Sequence, residues 1–137
     1  MVKTYDPKKV LVSLGSHMVT GYADGTFVNI AYNGEGIGTV VGADGEVSRY
    51  IDPDRTANVT ITVKQTSPTV DFCQRMHDKD LVTGEGILPI LIKDMRGGLI
   101  FSANDSWVVK PPDREYGKDI ANREIVIACG ATTTEGA

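Results

Sequence analysis

Apolar and polar positions alternate along most of this chain with a period of two, the signature of strands with one covered face. In Lys8–Leu14, Val10, Val12 and Leu14 point one way and Leu11 and Ser13 the other. Between His17 and Tyr32, Asp24-Gly25 separates two β-rich runs, which predicts a hairpin because glycine accepts positive φ. In its second arm Val28, Ile30 and Tyr32 oppose Phe27, Asn29 and Ala31. The cleanest alternation is Ala57–Gln65, with Val59, Ile61 and Val63 against Thr60, Thr62 and Lys64. Such a strand has one dry and one polar face. Ile87–Ser102 predicts a hairpin turning at Arg96-Gly97-Gly98, its first arm apolar on both faces, with Pro89 near the strand start. The runs Ser106–Lys110 and Arg123–Gly130 supply two further strands, joined by a polar connection. The tail after Gly130 is small and polar and reads as frayed.

Two segments depart from that period. In the first, Ser67 suits an N-cap and Pro68 the first helical position, and Val70, Cys73, Met76 and His77 follow helical spacing. Asp71 and Lys79 match the dipole ends. One short amphipathic helix is predicted over about 68–79, packing through Val70, Cys73 and Met76. The second is a glycine-rich excursion over about 33–55, containing Gly34, Gly36, Gly38, Gly42 and Gly45. It reads as a flexible loop broken only by short apolar pieces. Loops this long in compact domains are functional or disordered. No internal repeat or domain linker interrupts the 137 residues, so they form a single domain over 1–137.

Composition narrows the functions available. The net charge is −4 with both signs interspersed, so there is no basic patch of the kind nucleic-acid binding requires. No apolar run approaches a membrane span. The start carries no apolar signal core, and the expectation is that Cys73 and Cys129 are reduced thiols; a disulfide is the lesser reading. The Asn58 sequon is then idle.

Candidate chemistry is sparse. "GEGIG" lacks the spacing, the lysine and the following helix of a phosphate loop. The "GADGE" and "DPDR" carboxylates do not match a calcium loop. His17 and His77 lie in different elements, one in a turn or strand and one near the helix end, and offer no metal-ligand pattern. Cys73 is on the apolar helix face, Trp107 is a core or interface anchor, and no nucleophile elbow is present. No catalytic residue, metal or cofactor is expected, and the chain reads as a structural or binding protein.

Four ordered motifs carry a resemblance. "KTYDPKKVLVSLG", "GYADGTFVNI", "VGADGEVSRY" and "NVTITVKQTSPTVDF" together resemble the tail tube proteins of contractile-tailed bacteriophages, related in fold to the tube protein of type VI secretion. Val63, Lys64, Thr69 and Val70 depart conservatively from the family pattern. The resemblance is strong over about residues 3–76 and looser to about 130. It implies a mainly β fold, a β-sandwich or rolled barrel with one short flanking helix and a long inter-subunit loop. It implies hexameric rings that stack into a hollow tube for passage of double-stranded DNA without specific binding. The implied partners are further copies of the chain, a sheath protein, and tape-measure and baseplate proteins, with no membrane anchor; the implied place is the virion tail, assembled in the host cytoplasm.

On that reading the loop's inter-subunit residues are Gly34, Gly36, Gly38, Val40, Val41, Gly42, Asp44, Gly45, Glu46, Arg49, Asp52, Asp54 and Arg55. The glycines permit bends, the valines anchor, and the charges pair across the seam. Thr60, Thr62 and Lys64 are the candidate lumen face, neutral or negative overall so that DNA slides. The alternatives are a tube-terminating or baseplate hub protein of the same apparatus, and a monomeric β-sandwich binding module.

Overall fold

The computed structural model describes residues 2–136. A 3₁₀ turn, Pro7–Lys9, leads into ten strands and one helix: β1 Val10–Leu14, β2 His17–Met18, β3 Val28–Tyr32, β4 Ile37–Val41, β5 Val47–Ile51, β6 Ala57–Lys64, α1 Pro68–Thr83, β7 Leu88–Asp94, β8 Ile100–Val108, β9 Asn122–Cys129 and β10 Thr132–Glu135. One antiparallel sheet runs β2-β1-β7-β8-β9-β6-β3, with β10 beside β8; β4 and β5 form a separate pair.

The sheet rolls on itself. Its inner face collects Val12, Leu14, Val59, Ile61, Val63, Ile90, Ile92, Phe101, Ile125 and Ile127, all at most 2% exposed. Each such side chain contributes about 1.5–3 kcal/mol by leaving water. The cross-strand register places these residues opposite one another: Ile61 faces Ile125, Val59 faces Ile127, and Val12 faces Ile92. The roll tightens where the Tyr32 and Thr134 hydroxyls meet at 2.7 Å and the Tyr32 ring stands edge-on to Phe101. The fold is thus mainly β with one flanking helix, and the rolled form follows from strands that twist and have only one dry face.

The period-two reading of β6 matches its burial, residue by residue: Ala57, Val59, Ile61 and Val63 are buried while Asn58, Thr60 and Thr62 are half-buried and Lys64 is exposed. Several other expectations are corrected. Asp24-Gly25 does not turn a hairpin. Tyr22 bridges Val63 and Val28 pairs with Ile61, so both arms lie along the same edge of β6. The Thr62 amide bonds to Phe27 O and its carbonyl to Ala23 N, leaving 24–26 as a protrusion from one interrupted strand. An eight-residue strand with a free edge outcompetes the local turn signal. The Ser106–Lys110 run is not a strand of its own either. Its first residues end β8, which continues through Asn104-Asp105 across a register shift against β7. The tail is not frayed over 132–135. Cys129 faces Ser106 and Thr132 faces Ala103, so β10 continues β9 along β8 in unbroken register past Gly130-Ala131.

The helix also runs past its expected end. Ser67 caps it, its Oγ accepting from Thr69 N at 3.2 Å and donating to the Thr20 carbonyl. Nothing between Asp78 and Thr83 breaks it, and it stops at Gly84, whose φ of 70° is left-handed. It packs on the sheet through Thr69, Val70 and Cys73, with Phe72 and Met76 partly buried against the core. His17 stacks on Phe72 at 4.4 Å, with its Nε2 2.9 Å from Thr69 Oγ1, and His77 Nδ1 reaches the Val108 carbonyl at 3.2 Å. His77 therefore lies within the helix, not at its end.

One buried charge has no counterpart in the sequence reading. Arg123 is 2% exposed on the inner face opposite Val63. Its guanidinium donates to the Glu115 carbonyl at 3.0 Å and to Gln65 Oε1 at 3.5 Å, and lies 5.3 Å from the Tyr116 ring centroid. It ties the polar connection before β9 to the barrel, and hydrogen bonding from Arg114, then from Arg123, holds the Tyr116 hydroxyl's pKa below the ordinary phenol value.

Candidate assembly surfaces

The segment expected to be a flexible loop is a β-hairpin. β4 and β5 pair from Ile37↔Ile51 to Val41↔Val47. The turn closes through Gly42 N to Glu46 O at 2.8 Å and Gly45 N to Gly42 O at 2.9 Å, with Gly45 at φ 85° and Asp44 Oδ1 accepting from Glu46 N. Its base is bonded from Asp52 N to Gly36 O at 2.7 Å and from Asn33 N to Thr56 O at 3.1 Å. Glycine content by itself reads as a flexible loop. The alternation of Ile37, Thr39 and Val41 with Val47, Arg49 and Ile51 is the signal that identifies the strands.

Glycines here serve contacts. Gly38 is buried beneath the Tyr50 ring, in space that a Cβ would occupy. The Tyr50 hydroxyl donates to Glu35 Oε2 at 3.0 Å, and that carboxylate raises the phenol's pKa. Asp52 accepts from the Glu35 and Asp54 amides, Arg55 donates to the Asp52 carbonyl, and Asp54 accepts from Thr56, which lowers its pKa. The charges expected to reach a neighbour are thus divided. Asp52, Asp54 and Arg55 brace the neck of the hairpin, while Arg49 stands on its open face among apolar side chains.

That open face is the unusual feature. Pairing puts Ile37, Val41, Val47 and Ile51 on one side, with Thr39 and Arg49 between them. The other side carries Gly38, Tyr50, Val40 and Ser48. Every residue of β5, and all of β4 except Gly38, is exposed. A two-stranded hairpin with no covering layer is marginal in water, and exposed apolar surface of this extent marks an interaction site.

The second candidate surface is the outer face of β6 and its neighbours. Thr60 sits between Asn29 and Val126, Thr62 beside Glu124 and Lys64 beside Asn122. Lys64 and Glu124 are diagonal neighbours across the β6–β9 pair, about 7–8 Å apart in such geometry. This face and the hairpin are distinct surfaces that meet only at the start of β6.

No three His, Cys, Asp or Glu side chains come together as metal ligands among the described residues. Cys73 and Cys129 are buried and unbonded, their thiols pushed up by burial to about 12 and about 11. No helix among the described residues is long and apolar enough to cross a membrane.

Comparisons with known proteins agree with this architecture. A family model described as the Bacteriophage PhiTE tail tube protein matches residues 10–135. A curated relative, structural protein ORF10 of Pseudomonas phage KPP10, is 25% identical over 138 residues, covering 95% of this chain and 80% of that protein. Three solved structures share the fold at 11–12% identity. The tube-terminating cap of the anti-feeding prophage has a TM-score of 0.63, covering 100% of this chain and 94% of its own. A chain of the PVC sheath–tube complex, from an extracellular contractile injection system in its extended state, has 0.62, covering 98% and 93%. A chain of the same system's sheath/tube terminator has 0.62, covering 98% of both. The family model spans nearly the whole barrel, hairpin included, and on that match the chain belongs to the Bacteriophage PhiTE tail tube protein family.

Proposed function

We propose that this chain is the repeating subunit of a contractile-type phage tail tube. Six copies form a ring, rings stack into a hollow tube, and double-stranded DNA passes through it into the host. A sheath surrounds the tube, and tape-measure and baseplate proteins set its length and end. The subunit is a structural component of the virion tail, assembled in the host cytoplasm, and performs no catalysis. The observation that carries this reading is the β4–β5 hairpin: well-formed, bonded at its base, and uncovered on both faces. A patch that meets a different patch on the next copy propagates without closing, which is what tube growth requires.

The outer face of β6 suits the channel wall. Thr60 and Thr62 are neutral, and Glu124 lies diagonal to Lys64, so the surface offers phosphate no cluster of positive charge to hold it. The residues at the hairpin base and tip, from Gly34 to Arg55, form the seam between copies.

Electron microscopy and sedimentation velocity of the purified chain test the reading. Rings or tubes that accumulate with concentration are expected; a monomer at every concentration and salt overturns it. A second reading, a tube terminator, is favoured by the likeness to two terminator chains. A terminator forms single rings that cap a tube and do not extend it, so ring stacking in the same images separates the two.

A further inference from the structure

Most of α1 is packed, but its last turn is not. Leu81 and Val82 are 74% and 85% exposed, and Ile87 just beyond the helix is 53% exposed. Asp78 precedes Leu81 and Val82 by three and four residues, and Glu85 follows them by four and three. Within the helix that spacing lines up side chains along one flank, so Asp78 lies beside the apolar pair, and Glu85 follows it just past the left-handed cap at Gly84. The last turn contains no basic residue. A helix C-terminus carries a partial negative charge that cations ordinarily offset. Over 78–85 Lys79 is the one cation, against Asp78, Asp80 and Glu85; Asp78 accepts from Gln74, which also takes a bond from Arg114, and Asp80 accepts from the Gly86 amide. The end of α1 is therefore an exposed apolar patch in a negative field.

The hairpin's open face is its complement. Four aliphatic side chains surround Arg49, which bonds to no carboxylate among the described residues, while Asp52, Asp54 and Glu35 are already engaged around the neck. The other exposed apolar groups lack this match. Tyr116 and Ile120 lie where Lys110, Arg114 and Lys118 balance Asp113, Glu115 and Asp119, and Leu91 is followed two residues on by Lys93 along the exposed side of β7. Of these surfaces, the helix end presents apolar side chains with an excess of acid over 78–85.

We infer that the β4–β5 hairpin of one copy docks on the C-terminal end of α1 of another, with Arg49 placed against Asp78 and Glu85 over Leu81 and Val82. This inference rests on the tube reading and names the surface that receives the hairpin. The two patches differ, so the contact is heterologous and repeats along a stack. Arg49 supplies the cation that the helix terminus lacks, and the aliphatic side chains on both partners leave water together. The rim charges set register and the apolar centre sets strength.

Charge reversal tests the pairing. Arg49→Glu, and separately Asp78→Arg with Glu85→Arg, are expected to raise the concentration needed for tube growth about tenfold or more, as loss of a central charged anchor does. All three side chains are exposed, so each variant should melt like the parent. Combining the reversals on one chain is expected to restore growth. In wild-type tubes, hydrogen exchange should slow at Ile37–Val41, Val47–Ile51 and Leu81–Gly84 together. Normal growth of Arg49→Glu, failure of the combined chain to recover, or protection of the hairpin without the helix end overturns the docking while leaving the tube reading intact. So does protection of the helix end only after another tail protein is added. A parent chain that never assembles overturns both.

Discussion

β6–β9 and β4–β5 are both antiparallel pairs built from alternating β-branched residues, yet they have opposite fates. In β6 and β9 every second side chain lies under a second layer, and Ile61 is 0% exposed. In the hairpin the same alternation faces water on both sides, and Ile51 is 68% exposed. Local strand chemistry is equal in the two pairs; the presence of a covering layer is not. The barrel supplies its own second layer by rolling, with the helix on one flank. The hairpin projects from the neck at Asn33 and Thr56, where none of the described residues covers it, and a neighbouring copy is the cover we propose.

The sharpest way to break this comparison is one substitution made twice. Ile61→Asp buries a charge with no partner and should cost several kcal/mol, enough to unfold a domain of ordinary stability. Ile51→Asp should shift stability by no more than about 0.5 kcal/mol, yet suppress tube growth. Thermal melting and electron microscopy of both variants check this. Equal destabilisation would mean that the hairpin belongs to the core.

Removing the hairpin is the next test. Gly36 O and Asp52 N are already 2.7 Å apart, so residues 37–51 can be replaced by a two-residue turn without reopening the neck. The melting temperature should stay within about 4 °C, the shift of less than about 1 kcal/mol in a domain of this size. Assembly should be lost. If the trimmed chain grows tubes, the seam lies elsewhere.

A smaller effect separates order within the hairpin from its docking. Gly38→Ala pushes a methyl group into the Tyr50 ring, and the tyrosine must swing out and leave Glu35. Global unfolding should change little, while amide exchange across β4 and β5 speeds up several-fold. Unchanged exchange would show that the Tyr50 lid does not order the hairpin.

The smallest effect lies on the barrel side, where the helix meets β2. Burial first, and then the nearby Arg75 charge, lower the pKa of His17 below its unfolded value. The folded state therefore resists a proton that the unfolded state accepts. Stability should fall as pH drops through about 6.5, the unfolded histidine value, and no such loss arises above it. His17→Gln should flatten the part of the melting-temperature slope between about pH 7.5 and 5.5 that the histidine supplies. An unchanged slope would assign it to carboxylates. Hairpin exchange rates should not follow His17 at all.

Much of the barrel is legible in the sequence because its determinants are local or have a fixed period. The dry face of Val59, Ile61 and Val63, the Ser67-Pro68 helix start and the Asp94–Gly98 turn are each written within a few residues. Inner and outer faces follow from period two, with no knowledge of the partner strand. Choices between competing partners are not local. Whether 19–23 pairs with 28–32 or with β6, and whether β9 ends at Gly130 or continues as β10, depend on which edge is free once the sheet has rolled. Arg123 illustrates the limit: its acceptors come from Gln65 and the Glu115 backbone, and only the β6–β9 pairing and the fold of the connection before β9 bring them to it. The alternation of the hairpin strands was present in the sequence all along, but only the tertiary structure decided that their apolar faces would remain uncovered, because coverage belongs to the arrangement of layers and not to any strand by itself.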